Sequence, residues 1–106
     1  MTTFDEREKA FENKFKHDEE LQFKVEVRRN KLLGLWIGEL MGLNEAESQA
    51  YAKEVIEADF EEVGIEDVVR KVLADCEAKN VDLSEHRLRK HIDELTVEAK
   101  KQIMSE

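Results

Sequence analysis

Proline is absent from the 106 residues and glycine occurs only four times, so almost nothing in the chain breaks a helix. Cysteine occurs once, as Cys76, which excludes an intramolecular disulfide. With no signal-peptide pattern either, a reducing cytoplasm is the expected setting. Long apolar runs are missing too. The longest, Leu32 to Leu43, covers 12 residues and contains Glu39, whereas a membrane span needs about 20. No membrane insertion is expected. Nor is there an excess of positive charge: 26 acids against 17 bases leave a net −9, which argues against nucleic acid, whose phosphates demand basic patches. The length fits one domain.

What is abundant is charge, at 41% of the residues. Chains this charged often fail to bury enough apolar surface to fold. Leu, Ile, Val and Phe nevertheless total 29 of 106 residues, above the roughly 20% at which folding becomes doubtful. A small core is therefore expected, and its residues are unevenly placed. The first 20 residues, MTTFDEREKAFENKFKHDEE, contain no Leu, Ile or Val, yet hold Phe4, Phe11 and Phe15, three of the five phenylalanines. At about 100° per residue, steps of seven and four keep these rings within roughly 40° of one another on a helix. Thr3 with Glu6 reads as a capping box. Eleven of the 20 residues are charged, and isolated helices of this length are marginal in water.

From Leu21 onward the aliphatic residues recur at helical spacing through Val25, Leu32, Trp36 and Leu40, widened by Leu33, Ile37 and Met41. The six-residue step from Phe15 to Leu21 turns the stripe by about 120° across the acidic run His17-Asp18-Glu19-Glu20. We read this as a boundary between an arm, residues 1–20, disordered or marginally helical when free, and a folded domain, residues 21–106. Gly42 is a natural helix stop. Asn44 with Glu47 caps a helix bearing Tyr51, Ala52, Val55, Ile56 and Phe60, ended by Gly64. Ile65, Val68, Val69, Val72, Leu73 and Cys76 mark a third helix, closed by Asn80. Asp82 with Glu85 caps a last one carrying Leu88, Ile92, Leu95, Ala99 and Ile103. The expected fold is all-α: a four-helix bundle with helices near 21–41, 45–63, 66–79 and 83–104, preceded by the arm.

Catalytic chemistry finds no support in these residues. No His has a Glu three residues before it, as di-iron bundles require, and His86 and His91 lie about 140° apart on a helix, unable to share a metal from one face. Cys76 falls on an apolar stripe, where an inert core thiol is expected. The segment GLWIGELMG lacks the Lys-Ser/Thr that would follow a phosphate loop. No enzyme activity, catalytic residue, metal or cofactor is expected.

Three features remain. Gly34, Gly38 and Gly42 recur every four residues, a spacing that serves close packing inside the bundle or a dimer seam. Lys24, Arg28, Arg29 and Lys31 form a local basic patch, either a solvated face or a dock for an acidic surface. The Phe-bearing arm either folds back on the bundle or enters a partner's groove as a short recognition helix, with Arg7, Lys9, Lys14 and Lys16 available to acidic walls.

The segments TTFDEREKAFENKFKHDEELQFK, RRNKLLGLW and ADFEEVGIEDVVRKV, with the closing KKQIMSE, resemble the zeta subunit of alphaproteobacterial F-type ATP synthases. The resemblance implies a non-enzymatic inhibitor of ATP hydrolysis. It implies a monomer when free, whose partner is the catalytic head with its α, β and rotor γ subunits, peripheral to the inner membrane. In that family a bundle follows an inhibitory N-terminal segment that becomes helical in a catalytic interface between α and β subunits. The match places this role on residues 3–19; within that stretch Thr3, Phe4, Asp5, Arg7, Phe11, Lys14 and Phe15 are our expected partner-binding residues. Among these, side-chain chemistry suggests Phe4, Phe11 and Phe15 as apolar anchors and Arg7 and Lys14 as polar ones. The competing reading is a helical adaptor that binds a protein partner through its bundle.

Overall fold

The structure, a computed structural model, describes the backbone of residues 3–60 and 64–106, and the side chains of residues 19–60 and 64–106. Four helices follow in order: α1 (Thr3–Leu40), α2 (Glu45–Asp59), α3 (Glu66–Ala78) and α4 (Glu85–Ser105). No strand occurs among the described residues, and the all-α, four-helix expectation is borne out. None of these helices is long and apolar enough to cross a membrane. The helix expected from Leu21 and the conditional helix before it form one continuous backbone element. The acidic run between them contains neither glycine nor proline, so a turn of the apolar stripe does not interrupt the backbone. The first capping box, Thr3 with Glu6, lies outside the described side chains.

Helix ends follow local chemistry closely. Gly42 takes φ +76°, its N–H bonds the carbonyl of Glu39 (3.1 Å), and the Leu43 N–H bonds Gly38 (2.9 Å). These are the paired bonds of a Schellman motif, which satisfies the carbonyls a helix end leaves free. Helix α3 ends the same way: Asn80, at φ +59°, bonds Glu77 (3.0 Å), and Val81 bonds Cys76 (2.8 Å). Leu43 and Val81 then turn inward against the core. Asn44 and Glu47 form a reciprocal capping box at the start of α2, as expected. At α4 the cap is Ser84, not Asp82: its hydroxyl accepts the Arg87 N–H at 3.1 Å, and the helix begins at Glu85. A cap must sit directly before the first helical residue, and Asp82 is two residues too early. Helix α2 closes at Asp59 instead of near 63, with Phe60 as its C-cap; residues 61–63 lie outside the described part.

The core draws on all four helices: Leu33 and Ile37 of α1, Tyr51, Ala52 and Val55 of α2, Val68, Val69, Val72 and Cys76 of α3, and Leu88, Ile92 and Ala99 of α4. Every member except the tyrosine hydroxyl is apolar or a thiol, and Tyr51 donates that hydroxyl to the Asp75 carboxylate at 2.8 Å. Lys71 completes the group, 3.0 Å from Asp75 and 5.3 Å above the Tyr51 ring. Burial, the hydrogen bond to Asp75 and that carboxylate's charge all push the Tyr51 phenol above its ordinary value. Trp36 lies at the core's edge, not within it, and stacks on His91 with ring centroids 3.7 Å apart.

Glycine fixes the α1–α2 approach. A Cβ added to Gly34 would fall 2.8 Å from the Ala52 Cβ and 3.0 Å from its amide nitrogen. One added to Gly38 would meet the Ser48 Oγ at 2.5 Å and its Cβ at 2.8 Å. Of the two readings of the Gly34–Gly38 stripe, the structure shows internal packing. Gly42 faces open space and serves the turn.

Two predictions follow from this packing. Gly34→Ala would gain about 0.8–1.0 kcal/mol of helix propensity, but the nearest obstructing atom is the Ala52 Cα, which is backbone and cannot swing aside. Overpacking of this kind costs about 1–3 kcal/mol, so a net fall in the thermal midpoint is expected; an unchanged or raised midpoint would contradict the close approach. Tyr51 is the only tyrosine, so a phenolate absorbance titration reads it alone. Because its folded pKa lies above the unfolded value of about 10, its stabilising contribution is complete below pH 10 and declines as pH rises further. Phenolate absorbance should therefore appear only as the helices melt; a simple titration near pH 10 with helicity retained would refute the buried hydrogen bond.

Candidate protein-binding surface

The seven residues expected to bind a partner, Thr3, Phe4, Asp5, Arg7, Phe11, Lys14 and Phe15, all fall on the first turns of α1. Their side chains lie outside the described part, so their individual roles stay expectations. The backbone itself places Phe4, Phe11 and Phe15 at steps of seven and four along one helix. Helix α1 contains no glycine before Gly34.

The described side chains show where this helix joins the bundle. From Glu19 to Arg29 no residue is buried, and Asn30, 1% exposed, is the first that is. Helix α1 packs mainly on α2 and α4, and the C-terminal ends of both lie beside this stretch. From α2 comes Asp59, whose carboxylate accepts a hydrogen bond from the Asn30 amide at 2.8 Å and an ion pair from Arg29 at 3.4 Å. The Arg29 Nε–H also donates to the Asn30 side-chain oxygen at 3.2 Å, and both ionic side chains are only 12% exposed. From α4 come Gln102, which accepts from Arg28 at 2.9 Å, and Glu106, which forms an ion pair with the same guanidinium. The basic patch is thus divided. Arg28 and Arg29 bind their own fold, while Lys24 and Lys31 stay exposed with no carboxylate partner among the described residues.

Sequence reasoning missed this collar because its arginines pair with residues 30 to 78 positions away. It also missed Phe60, which was expected on the inner face of α2. Phe60 instead stands 60% exposed and stacks on Phe23, with centroids 5.8 Å apart and planes 19° off parallel. The other chemistry-bearing residues stay structural. Cys76 is buried, its thiol pushed up by burial and by Asp75, a setting that suppresses thiolate reactivity. His91 stacks on Trp36, and His86 is exposed. Arg89 grips Glu66 through two bonds of 3.1 and 2.7 Å, tying α4 to α3 and lowering the carboxyl's pKa. No cluster of His, Cys, Asp or Glu suited to a metal occurs among the described residues.

The fold is a small helical bundle that extends one long helix past its own core. Residues 1–102 match the family model for ATPase inhibitor subunit zeta, and the chain belongs to that family. A protein solved by solution NMR is 49% identical, with a TM-score of 0.72 over 80% of this chain and 96% of that one. No curated protein matches the chain.

The collar itself can be tested. Asp59→Ala would leave the buried Asn30 amide without an acceptor and the largely buried Arg29 with only the Asn30 oxygen, at an expected cost of about 1–3 kcal/mol in chemical denaturation. Asp59→Asn, which retains an acceptor for Asn30, should cost less. Equal losses for the two would remove the hydrogen bond from the account.

Proposed function

We propose that the chain is a non-enzymatic inhibitor of ATP hydrolysis by the F-type ATP synthase. The carrying observation is the family match across residues 1–102, which spans both the arm and nearly all of the bundle. On this reading the N-terminal part of α1 enters a catalytic interface between α and β subunits, beside the rotor γ, and blocks hydrolytic rotation. Phe4, Phe11 and Phe15 anchor its apolar face, Arg7 and Lys14 pair with polar groups, and Thr3 and Asp5 occupy its first turn. The protein then acts at the membrane only through the synthase, without entering the bilayer, and needs no cofactor.

Physical features favour this mode. The arm holds no Leu, Ile or Val, so its removal takes no large aliphatic side chain from the fold, and the buried residues among the described ones all lie beyond it. A helix of 38 residues spans about 57 Å at 1.5 Å per residue, so the arm reaches a cleft well beyond the bundle's surface. With no proline or glycine up to Gly34, a push on the arm is carried into the collar and the bundle, which serves as the stop. Ordering such a segment on binding consumes about 2–5 kcal/mol of the gross contact energy, so the three rings must contribute more than that.

Deleting residues 2–19 is expected to leave a helical bundle with a cooperative thermal transition and to abolish inhibition in an ATPase assay. An unchanged inhibition constant would overturn the arm's role and favour an adaptor that binds through its bundle.

A further inference from the structure

Helix α1 is seated over a short length and continues over a long one. Among the described side chains, its buried positions run from Asn30 to Gly38, about 12 Å of axis, while Thr3 to Arg29 extends about 40 Å ahead of them. A tilt of α1 in that seat is therefore magnified about threefold at its N-terminus. Apolar contact in the seat holds the helix down, but burial of apolar surface is non-directional. Charge-assisted hydrogen bonds are short and directional, and they stand at the mouth of the seat. Arg28 donates to Gln102 of α4 at 2.9 Å and pairs with Glu106 at the end of that helix. Arg29 pairs with Asp59 of α2 at 3.4 Å, and the same carboxylate accepts from Asn30 at 2.8 Å. Successive residues of a helix point about 100° apart, so Arg28 and Arg29 reach two different helices and restrain tilt in two directions.

We propose that Arg28, Arg29 and Asp59 are positioning residues of the inhibitor. They set the direction in which α1 leaves the bundle, and so the orientation of the bundle once the arm is seated in its cleft. This inference rests on the inhibitor reading and adds to it side chains that act through α1, not by touching the partner. The path between them is continuous: neither glycine nor proline interrupts α1 between the arm and the collar. A direction fixed at Arg28 is carried to Phe15, about 20 Å along the axis, with only the slight bending a helix allows. The place of the ties supports the assignment. Helix α2 closes at Asp59 and α4 at Ser105, so the collar is built from the last residues with which these two helices reach α1. Stability alone accounts for it poorly. The Arg28–Glu106 pair is partly exposed, and exposed pairs contribute little to folding, yet this pair and the Asp59 cluster stand where a directional bond has the longest lever to control.

The test uses the full-length chain, with inhibition of ATP hydrolysis by the purified catalytic head as readout. Arg28→Gln with Asp59→Asn removes the charge from both ion pairs and leaves an acceptor for Asn30. The half-inhibitory concentration should rise at least about fivefold, the low end of coupling between separate sites, while helicity and a cooperative thermal transition persist. The same substitutions are then placed in a chain with a short glycine linker inserted between Glu20 and Leu21, which uncouples the arm's direction from the bundle's. The linker should itself weaken inhibition without abolishing it, because the arm keeps its own contacts, and the collar substitutions should then add nothing further. Equal losses with and without the linker would mark a purely structural role and overturn the proposal. So would a half-inhibitory concentration that the substitutions leave unmoved in the uninterrupted chain; either result leaves the arm's role intact. Should the double variant lose its cooperative transition, Arg28→Gln alone, at the more exposed pair, is carried through the same comparison and decides. Failure of the unmodified chain to inhibit, or undiminished inhibition after deletion of residues 2–19, would instead defeat the reading beneath.

Discussion

The contact of Gly34 and Gly38 with Ala52 and Ser48 sets the rest of the structure. Two helices meet here backbone to backbone, with no side chain on α1 to hold them apart. That separation lets Leu33 and Ile37 reach Tyr51 and Val55 in one layer, against which the three valines of α3 and Leu88 of α4 close. It also fixes where α2 ends relative to α1. Helix α2 runs back along α1 from Ser48 opposite Gly38 to Ala52 opposite Gly34, then to Asp59 opposite Asn30 and Arg29. Each step toward the C-terminus of α2 is a step toward the N-terminus of α1. The collar and the Phe23–Phe60 stack are thus the far end of an antiparallel register that the glycines establish.

Charge at this density is tolerated because the fold separates its tasks. Most charged groups stay in water, where ion pairs contribute little. The few that approach the core are arranged to satisfy one another: Asp59 takes both Asn30 and Arg29, and Asp75 takes both Tyr51 and Lys71. Among the described residues no buried side-chain polar atom lacks a partner. A small core of largely aliphatic side chains suffices when almost no buried polar group works against it.

Much of this was legible in the sequence, for local reasons. Gly42 and Asn80 announce helix ends because a left-handed residue is needed there, and Asn44 with Glu47 announces a start because both partners lie within one turn. Spacing placed most of the core, but on α1 the buried residues are Leu33 and Ile37 while Leu32 and Trp36 lie at the edge and Leu40 is exposed, and on α2 Phe60 is exposed. The rest depended on where distant segments meet. Nothing near Arg28 says that Gln102 and Glu106 lie beside it, and nothing near Phe60 says that α2 stops one residue earlier. Ser84 shows the limit at short range: both Asp82 and Ser84 can cap, and only the helix's starting point decides between them. For the arm, spacing placed three rings on one face, and their side chains lie outside the described part.

An unbroken helix changes what the arm requires of the bundle. Were residues 1–20 joined by a flexible link, the bundle would only raise the arm's local concentration, and its surface would be irrelevant to inhibition. A continuous α1 makes the bundle's orientation follow from the arm's, within the small bending a helix allows. The collar then has a mechanical meaning: Arg28 fastens α1 to α4, and Arg29 with Asn30 fastens it to α2, at the level where the helix leaves the core. On the inhibitor reading proposed above, a load on the protruding part would meet these charged hydrogen bonds, placed where α1 emerges, before the apolar layer beyond.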